Sequence, residues 1–338
     1  MAIGWLKRMF HAPIWDWIQV EVTTRCNARC TYCPRTVYGG RWPQRDLPLS
    51  LFRRLIPDLP LARYVHLQGW GEPFLHQDLF QMASMVRQAG CRLGTTTNGI
   101  LLDEKTASRV VKAGFHVVAF SLAGTGANND AFRRGAPLNR VLEGMRRLVD
   151  ARKRAGLELP EIHVAYMLLA SALEELDDLP EILAGIPVSQ VVVSTLDLVA
   201  DSSLEKEVVG PEDQDLLERL ERVGQRLRVR GVALHHGLRK TAPAGGSCSE
   251  NVLRAVVVGS DGRVGPCVYT NLDVPIGGRW TEEPSRPPTR IYFGDLAQSS
   301  LRTIWENPAY ASFRNSFSTG ALEPFCRHCP KYIGLEGP

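Results

Sequence analysis

Three cysteines within eight positions are the most distinctive chemical feature of the sequence. Cys26, Cys30 and Cys33 follow a short apolar run with the spacing Cys-x3-Cys-x2-Cys. Cysteine thiolates are the usual ligands of iron–sulfur clusters, and four of them fully ligate a cubane cluster. Three thiolates would leave one iron open, and an open coordination position is typical of a reactive metal centre. The spacing therefore predicts a cluster that does chemistry.

Two other interpretations of these three cysteines fit the sequence less well. Structural zinc usually binds Cys-x2-4-Cys pairs that add up to four ligands, and no fourth ligand is obvious near Cys33. Isolated buried cysteines are common in proteins, but three in so short a stretch are not a coincidence of packing.

Four further cysteines lie in the C-terminal third of the chain. Cys248 and Cys267 flank two apolar runs joined by Asp261-Gly262, a dipeptide that is a strong β-hairpin signal. Cys326 and Cys329 form a distant Cys-x2-Cys pair. Together the four would enclose either zinc or a fully ligated iron–sulfur cluster, and the spacing alone leaves both open. The eighth cysteine, Cys91, is expected to be a small buried residue.

Composition excludes several classes of function. The formal net charge is +4 over 338 residues, which argues against nucleic acid as a partner. No apolar run approaches membrane-spanning length, and no secretory signal is present. Grouped cysteines in a chain without such a signal fit metal ligation in a reducing compartment, so we expect a cytoplasmic protein.

The elements that position these residues alternate between strands and helices. Apolar and polar patterning predicts strands at residues 18–22, 64–68, 92–97, 115–122, 162–169 and 190–198. Intervening helices are predicted from residue 78, from 103 to 112, after 139, from 173 to 186, and from Pro211. Six successive βα units predict an α/β fold, a partial (β/α)6 TIM-like barrel with helices outside a parallel sheet.

Short polar and glycine-rich segments follow consecutive predicted strands. These are the cysteine triad, Gly69–Pro73, Thr97–Gly99 and Ser121–Gly124. Because chemistry in βα barrels gathers in the loops at the C-terminal ends of the strands, we expect all four segments to meet at one mouth.

The cysteine spacing and these segments, in this order, resemble the radical S-adenosylmethionine (radical SAM) superfamily. In that family the open iron of a [4Fe–4S] cluster chelates the amino and carboxylate groups of S-adenosylmethionine. An electron from the cluster then cleaves the cofactor to a 5'-deoxyadenosyl radical. The resemblance implies that S-adenosylmethionine and one such cluster are cofactors of this chain, with Cys26, Cys30 and Cys33 as cluster ligands. It implies cofactor contacts from Tyr32, Gly69, Gly71, Glu72, Thr97, Asn98 and Ser121.

Two positions depart from the commonest form of the family's motifs. Gly69–Pro73 resembles the Gly-Gly-Glu-Pro segment that binds the cofactor's amino group, but it contains an additional Trp70. Its glycines would let backbone carbonyls approach the ammonium, and Glu72 would order the turn or offset the charge. Ala123 stands where many relatives have Asp, so a direct polar contact is not expected there.

The C-terminal cysteine pattern resembles the truncated SPASM domain called Twitch, which is appended to many radical SAM enzymes. The chain has too few cysteines for two auxiliary clusters, so the resemblance implies one auxiliary [4Fe–4S] cluster on Cys248, Cys267, Cys326 and Cys329. The predicted divisions are a 1–17 N-terminal extension, an 18–236 partial barrel, a 237–247 linker and a 248–338 Twitch/SPASM domain.

The resemblance implies an enzyme that abstracts hydrogen from a substrate and passes the remaining electron to the auxiliary cluster, a net two-electron oxidation. Such an oxidation needs a general base, for which Asp197 is the first candidate, with Tyr166 or His66 as further residues at the mouth. A ferredoxin or flavodoxin is the expected electron donor. The alternatives are a maturase that acts without net oxidation and a non-enzymatic iron–sulfur or zinc protein.

The substrate is predicted only by class. Peptide-modifying relatives often carry a leader-binding domain before the cysteine motif, and here a short segment precedes it. We therefore expect a small molecule, a cofactor precursor or a peptide delivered by another protein. The segments Cys33–Thr36, Gly69–Pro73 and Ser121–Thr125 are also similar to those of cofactor-modifying proteins of tungsten aldehyde oxidoreductases.

Overall fold

The structure is a computed structural model that describes residues 12–210, 213–238, 247–274 and 290–333. Most of the predicted N-terminal extension, most of the predicted linker and the predicted helix start at Pro211 lie outside these residues. Within the described residues, no helix is long and apolar enough to cross a membrane.

A ten-stranded, mostly parallel sheet forms the centre of the molecule. Its strands, with two further short pairs, are β1 Trp15–Val20, β2 Arg29–Cys30, β3 Ala62–Leu67, β4 Arg92–Thr97, β5 Val117–Leu122, β6 Arg133–Arg134, β7 Glu161–Leu168, β8 Val188–Thr195, β9 Ala233–His236, β10 Ser247–Cys248, β11 Ala255–Val258, β12 Arg263–Gly265, β13 Gly294–Asp295 and β14 Tyr332–Ile333. The order in the large sheet is β13-β12-β11-β1-β3-β4-β5-β7-β8-β9. All neighbours from β11 to β9 run parallel, as the βα pattern predicts.

The helices follow the strands along the chain. They are α1 Pro34–Tyr38, α2 Leu49–Arg53, α3 Leu79–Gln88, α4 Glu104–Ala113, α5 Ala127–Phe132, α6 Leu138–Arg154, α7 Leu179–Ile182, α8 Gln214–Val229, α9 Leu301–Trp305, α10 Pro308–Thr319 and α11 Pro324–Arg327. The helix predicted from 103 to 112 is present as α4, where the Asp103 side chain accepts from the Thr106 N–H and Gly114 ends the helix at φ 72°.

One predicted helix is wrong. In place of a continuous helix over 173–186, the chain forms 3-10 turns at Ala170–Ala172 and Glu174–Asp178 and then the single turn of α7. Pro180 has no backbone N–H to donate within a helix, so it is accepted only at the start of α7. Apolar spacing alone did not reveal this break.

The C-terminal domain is joined to the barrel through the sheet itself. β11 pairs with β1 in parallel, from Trp17 with Ala255 to Val20 with Val258. β12 then returns antiparallel as the predicted hairpin, with Gly262 at φ 87° in its turn. The four-cysteine region is therefore attached directly to the strand that leads into the three-cysteine loop.

Candidate active site

The predicted strand-end segments meet at one cavity of about 400 Å3. Its lining includes all three N-terminal cysteines and all seven residues expected to contact the cofactor, namely Cys26, Cys30, Cys33, Tyr32, Gly69, Gly71, Glu72, Thr97, Asn98 and Ser121. Parallel strands end at the same edge of a sheet, which brings these distant segments together.

The three-cysteine loop is held by contacts at both of its ends. Arg25 forms an ion pair with Asp46 at 2.5 Å and donates to the Leu75 carbonyl at 3.0 Å. At the other end Cys30 pairs with Arg133 in the two-residue β2–β6 ladder, and the Thr31 N–H donates to Phe132. The loop is thus fixed by Asp46, by the segment that follows β3 and by the segment that follows β5.

The segment after β5 is itself held by a carboxylate from beyond β7. Glu175 accepts backbone N–H bonds from Thr125 at 2.8 Å, Gly126 at 2.9 Å and Asn128 at 3.1 Å. At Ala123 the backbone N–H donates to the fully buried Asn129 side chain at 3.1 Å. The loop that contains Ala123, where the sequence departs from the family motif, is therefore ordered by residues further along the chain.

Gly71 has a steric reason to be glycine that the sequence did not reveal. A Cβ atom at this position would overlap the carbonyl oxygens of Thr23 and Arg25. The next residue, Glu72, donates its backbone N–H to Arg25 at 2.8 Å. The glycine-rich turn consequently packs directly on the backbone of the three-cysteine loop.

The Glu72 carboxylate joins the glycine-rich turn to the end of β4. This buried carboxylate accepts from the Thr97 hydroxyl and from the Asn98 N–H, both at 2.8 Å. Asn98 in turn donates to the Asn27 side chain at 2.8 Å. Burial raises the pKa of Glu72 to about 6, against the opposing effect of these hydrogen bonds.

Arg133 is a site residue that sequence reasoning missed. It is 4% exposed, lines the cavity and donates to the Tyr32 hydroxyl at 2.9 Å. Its Nε atom is buried without a hydrogen-bond partner among the described residues. Burial alone would lower the pKa of Arg133, but Tyr32 and the Cys30 thiol raise it above its usual value, so the guanidinium stays charged.

The residues around the cavity fit an anionic cluster and a cofactor with a carboxylate. Three thiols supply the ligands typical of iron–sulfur clusters, and the charged Arg133 with its unpartnered Nε–H favours negative charge beside them. Among the described residues, no three His, Cys, Asp or Glu side chains are grouped to hold a single metal ion. That finding does not argue against a cubane cluster, because each thiolate ligand of a cubane binds a different iron.

The four C-terminal cysteines line one narrow cavity between the hairpin and the last helices. Cys267 and Cys326 are 7% and 8% exposed, and apolar rings of Phe313, Phe317 and Phe325 surround them. Burial raises the pKa of Cys267 to about 12. Their convergence from a hairpin and a distant pair is as the spacing predicted.

Asp197 borders the cavity and is held by partners from two elements. Lys331 contacts its carboxylate at 2.7 Å, and the Thr195 hydroxyl donates to it at 2.8 Å. The Lys331 backbone N–H also donates to the Cys329 sulfur at 3.4 Å. The candidate base is therefore connected to the four-cysteine site through one lysine, a contact that no local pattern predicts.

The other residues singled out in the sequence lie in different surroundings. Tyr166 lines the cavity, and its buried hydroxyl has no hydrogen-bond partner among the residues described. His66 lies deeper in the barrel and does not line the cavity; burial, together with His163, lowers its pKa to about 4. Cys91 is fully buried, and its thiol donates to the Leu59 carbonyl at 2.9 Å, as expected for a core residue.

Two family models match most of the chain. Residues 20–180 match the model of the radical SAM superfamily, and residues 248–330 match that of an iron–sulfur cluster-binding domain, SPASM. The second match favours an iron–sulfur cluster over zinc as the cofactor of the C-terminal domain.

Individual relatives agree with both models. The chain is 26% identical over 331 residues to the tungsten-containing aldehyde ferredoxin oxidoreductase cofactor-modifying protein of Pyrococcus furiosus, covering 93% of this chain and 86% of the relative. Streptococcus suis SuiB bound to S-adenosylmethionine has a similar fold, with a TM-score of 0.67 and 14% identity over 90% of this chain and 68% of SuiB. Native anSMEcpe with bound AdoMet and Cp18Cys peptide has a TM-score of 0.66 and 16% identity, over 93% of this chain and 86% of that one.

Proposed function

Because this chain belongs to the radical SAM superfamily and carries a C-terminal SPASM domain, we propose that it abstracts hydrogen from a bound substrate and completes a two-electron oxidation. It is a radical SAM enzyme, and its cofactors are S-adenosylmethionine, a [4Fe–4S] cluster and an auxiliary iron–sulfur cluster. The observation that carries the proposal is the convergence of three cysteines and three strand-end segments on one cavity that also reaches toward the C-terminal domain.

In this proposal Cys26, Cys30 and Cys33 hold the cluster that is open at one iron. A [4Fe–4S] cluster held there would supply the one-electron reduction that cleaves S-adenosylmethionine. The Gly69–Glu72 turn holds the cofactor's amino group, and Tyr32, Thr97, Asn98 and Ser121 border its remaining parts. Arg133 offsets negative charge, since its buried guanidinium faces the same thiols.

Asp197 is proposed to receive the substrate proton. Hydrogen abstraction leaves a substrate radical, which must lose one electron and one proton to become a closed-shell product. Cys248, Cys267, Cys326 and Cys329 would hold the auxiliary cluster, which would supply the acceptor for that electron. The contact of Lys331 with both Asp197 and the Cys329 sulfur supports this pairing, because it links the proposed proton acceptor to a proposed ligand of the electron acceptor.

The substrate class remains a small molecule, a cofactor precursor or a peptide. The tungsten cofactor-modifying relative favours the first two, and the peptide bound to anSMEcpe is the observation that favours the third. A maturase reaction without net oxidation is the second candidate function. A ferredoxin or flavodoxin of low potential is proposed as the electron donor to the barrel cluster.

The experiment that tests the site replaces Cys26, Cys30 and Cys33 with Ala and measures iron and 5'-deoxyadenosine anaerobically. Wild-type protein should contain roughly eight irons per chain and the triple variant roughly four, because a [4Fe–4S] cluster has four irons. The variant should form no 5'-deoxyadenosine when S-adenosylmethionine and a strong reductant are supplied. Unchanged cofactor cleavage would contradict the proposed site.

Cys91→Ala is the matched control for cysteine loss. This thiol is fully buried and bonded to the Leu59 carbonyl, away from both groups of ligands. We expect this variant to keep the iron content and the cleavage rate of the wild type. Incubating wild type with candidate cofactor precursors and peptides, and following the change of mass, would then identify the substrate class.

A further inference from the structure

Trp70, the additional residue in the glycine-rich turn, contacts the C-terminal domain. Its indole Nε1–H donates to the Val268 carbonyl at 3.3 Å. Its ring meets Tyr269 edge-on, with centroids 6.3 Å apart and planes at 73°. Val268 and Tyr269 directly follow Cys267 in the sequence. One side chain of the turn therefore touches the segment that carries a ligand of the auxiliary cluster.

The backbone of Trp70 is fixed from the side of the barrel. Its N–H donates to the Glu21 carboxylate at 3.2 Å, at the start of the segment that leads from β1 into the three-cysteine loop. The other oxygen of Glu21 accepts from Ser260 at 3.0 Å and from Asn271 at 3.3 Å, both in the C-terminal domain. Glu21 is 4% exposed. Because both oxygens of its carboxyl group are hydrogen-bonded, the side chain has little freedom to leave this position, whether it is charged or neutral.

The turn, the three-cysteine loop and the Cys267 segment consequently form one continuous packed unit. Gly71 lies against the backbone of Thr23 and Arg25, and Trp70 lies against Val268 and Tyr269. Trp70 and Tyr269 both line the cavity, and Tyr269 also borders the four-cysteine site. A displacement of the turn cannot leave the Cys267 segment unaffected, because closely packed groups transmit displacement.

We propose that Trp70 is a positioning residue that couples cofactor binding at the turn to the surroundings of the auxiliary cluster. The inference rests on the proposed function, since it requires S-adenosylmethionine at the turn and a cluster on Cys267. Coupling between two sites is reciprocal, so the state of the auxiliary site must change the affinity for S-adenosylmethionine by the same factor. That affinity is measured without any turnover, because the cofactor is stable while the clusters remain oxidised.

The test is a double-mutant cycle on the dissociation constant of S-adenosylmethionine, measured anaerobically by equilibrium dialysis with no reductant. The four proteins are wild type, Trp70→Phe, Cys326→Ala with Cys329→Ala, and the combination of the two. Phe keeps an aromatic ring but removes the N–H that binds Val268. In the wild-type background, loss of the auxiliary site should weaken binding by about fivefold or more. In the Trp70→Phe background the same loss should change binding by less than about twofold.

Trp42→Phe is the matched control for the loss of an indole N–H. Trp42 meets Trp70 edge-on at 6.3 Å, but its own Nε1–H donates to the Thr24 carbonyl and not to the C-terminal domain. In this background the effect of removing the auxiliary site should equal that in wild type. Equal effects in the Trp70→Phe and wild-type backgrounds, or no effect in wild type, would overturn the coupling role.

The outcome is distinct from a failure of the proposed function. A wild-type protein that binds no S-adenosylmethionine contradicts the active site itself, and the coupling with it. If wild-type protein binds the cofactor but the effects of the substitutions in the double-mutant cycle are additive, only the role of Trp70 is contradicted. Retention of roughly four irons in every variant that lacks the auxiliary site shows that the barrel cluster is intact.

Discussion

The two cysteine sites both consist of grouped thiols, but they differ in the residues that surround them. The three-cysteine loop opens on a cavity of about 400 Å3, with three carboxylates, an arginine and several hydroxyl or amide groups nearby. The four-cysteine site is enclosed by phenylalanine rings, and two of its thiols are almost inaccessible to solvent. An open, polar surrounding suits a centre that binds and activates a cofactor, whereas an enclosed, apolar one suits a centre that exchanges only electrons.

The largest expected effect comes from disabling the enclosed site alone. In the variant Cys326→Ala with Cys329→Ala, 5'-deoxyadenosine should still form with a strong reductant, because the open site is intact. Product should fall at least about tenfold further, since the substrate radical has lost its electron acceptor. Measuring both compounds from the same anaerobic reaction provides the internal control for folding. If product and 5'-deoxyadenosine stay coupled as in wild type, the enclosed site is structural and the oxidase proposal fails.

A smaller effect is expected when the open site is disturbed through its packing and not through its ligands. Gly71→Ala places a methyl group against the carbonyls of Thr23 and Arg25, which should destabilise the loop by about 1–3 kcal/mol. Iron at the barrel site and affinity for S-adenosylmethionine should decrease together, while the auxiliary cluster is retained. Iron analysis with visible absorption checks this, and Gly40→Ala, where a Cβ meets nothing within 4 Å, is the control. A variant that loses cofactor affinity but keeps all its iron would instead assign Gly71 to the cofactor alone.

The smallest predicted effect is a pH dependence of protein stability. It arises from His66 in the barrel interior and not from the enclosed site. The pKa of His66 is lowered to about 4, below its ordinary value of about 6.5, so the unfolded chain binds a proton at a higher pH than the folded one. Stability should therefore be lost as pH falls from about 6.5 to about 4. Because the ring is only partly buried within the barrel, we expect a loss of about 1–2 kcal/mol.

Anaerobic urea unfolding at pH 7.5 and pH 5 measures this loss for wild type and for His66→Gln. The substitution should reduce the difference between the two pH values by that amount. His235→Gln, on the exposed strand β9, should leave it unchanged. An equal pH dependence in wild type and His66→Gln would show that the ring does not titrate as its burial requires.

Structural features that depend on one short segment could be predicted from the sequence. The cysteine spacings, the strand-end glycines and the helix over 103–112 each depend on neighbouring residues; the first two meet at the cavity as predicted, and the third is present as α4. Arg133 was missed because its importance arises from pairing with Cys30 and Tyr32 across the fold. The link from Lys331 to Asp197 was missed for the same reason, since ion pairs between distant segments leave no periodic pattern.

The strand predictions also succeeded where the signal is local and fell short where a distant segment contributes. β4 was predicted with its true limits, whereas β1 begins at Trp15, three residues before the predicted strand. The part of β1 that apolar alternation did not identify is paired with β3, and Trp15 packs edge-on against Trp305 of the C-terminal domain. A tertiary partner of this kind extends a strand beyond what its own residues specify.

The pairing of β11 with β1 has a consequence for how the chain is made. During synthesis the first strand emerges long before its partner, since Trp17 must wait for Ala255. Until then β1 is the exposed edge of an unfinished sheet, and its apolar residues invite pairing with other chains. Closing a contact of such long range is also slow. The three-cysteine loop therefore acquires its final support only after residues 255–258 have left the ribosome, so cluster insertion is expected to be a late event.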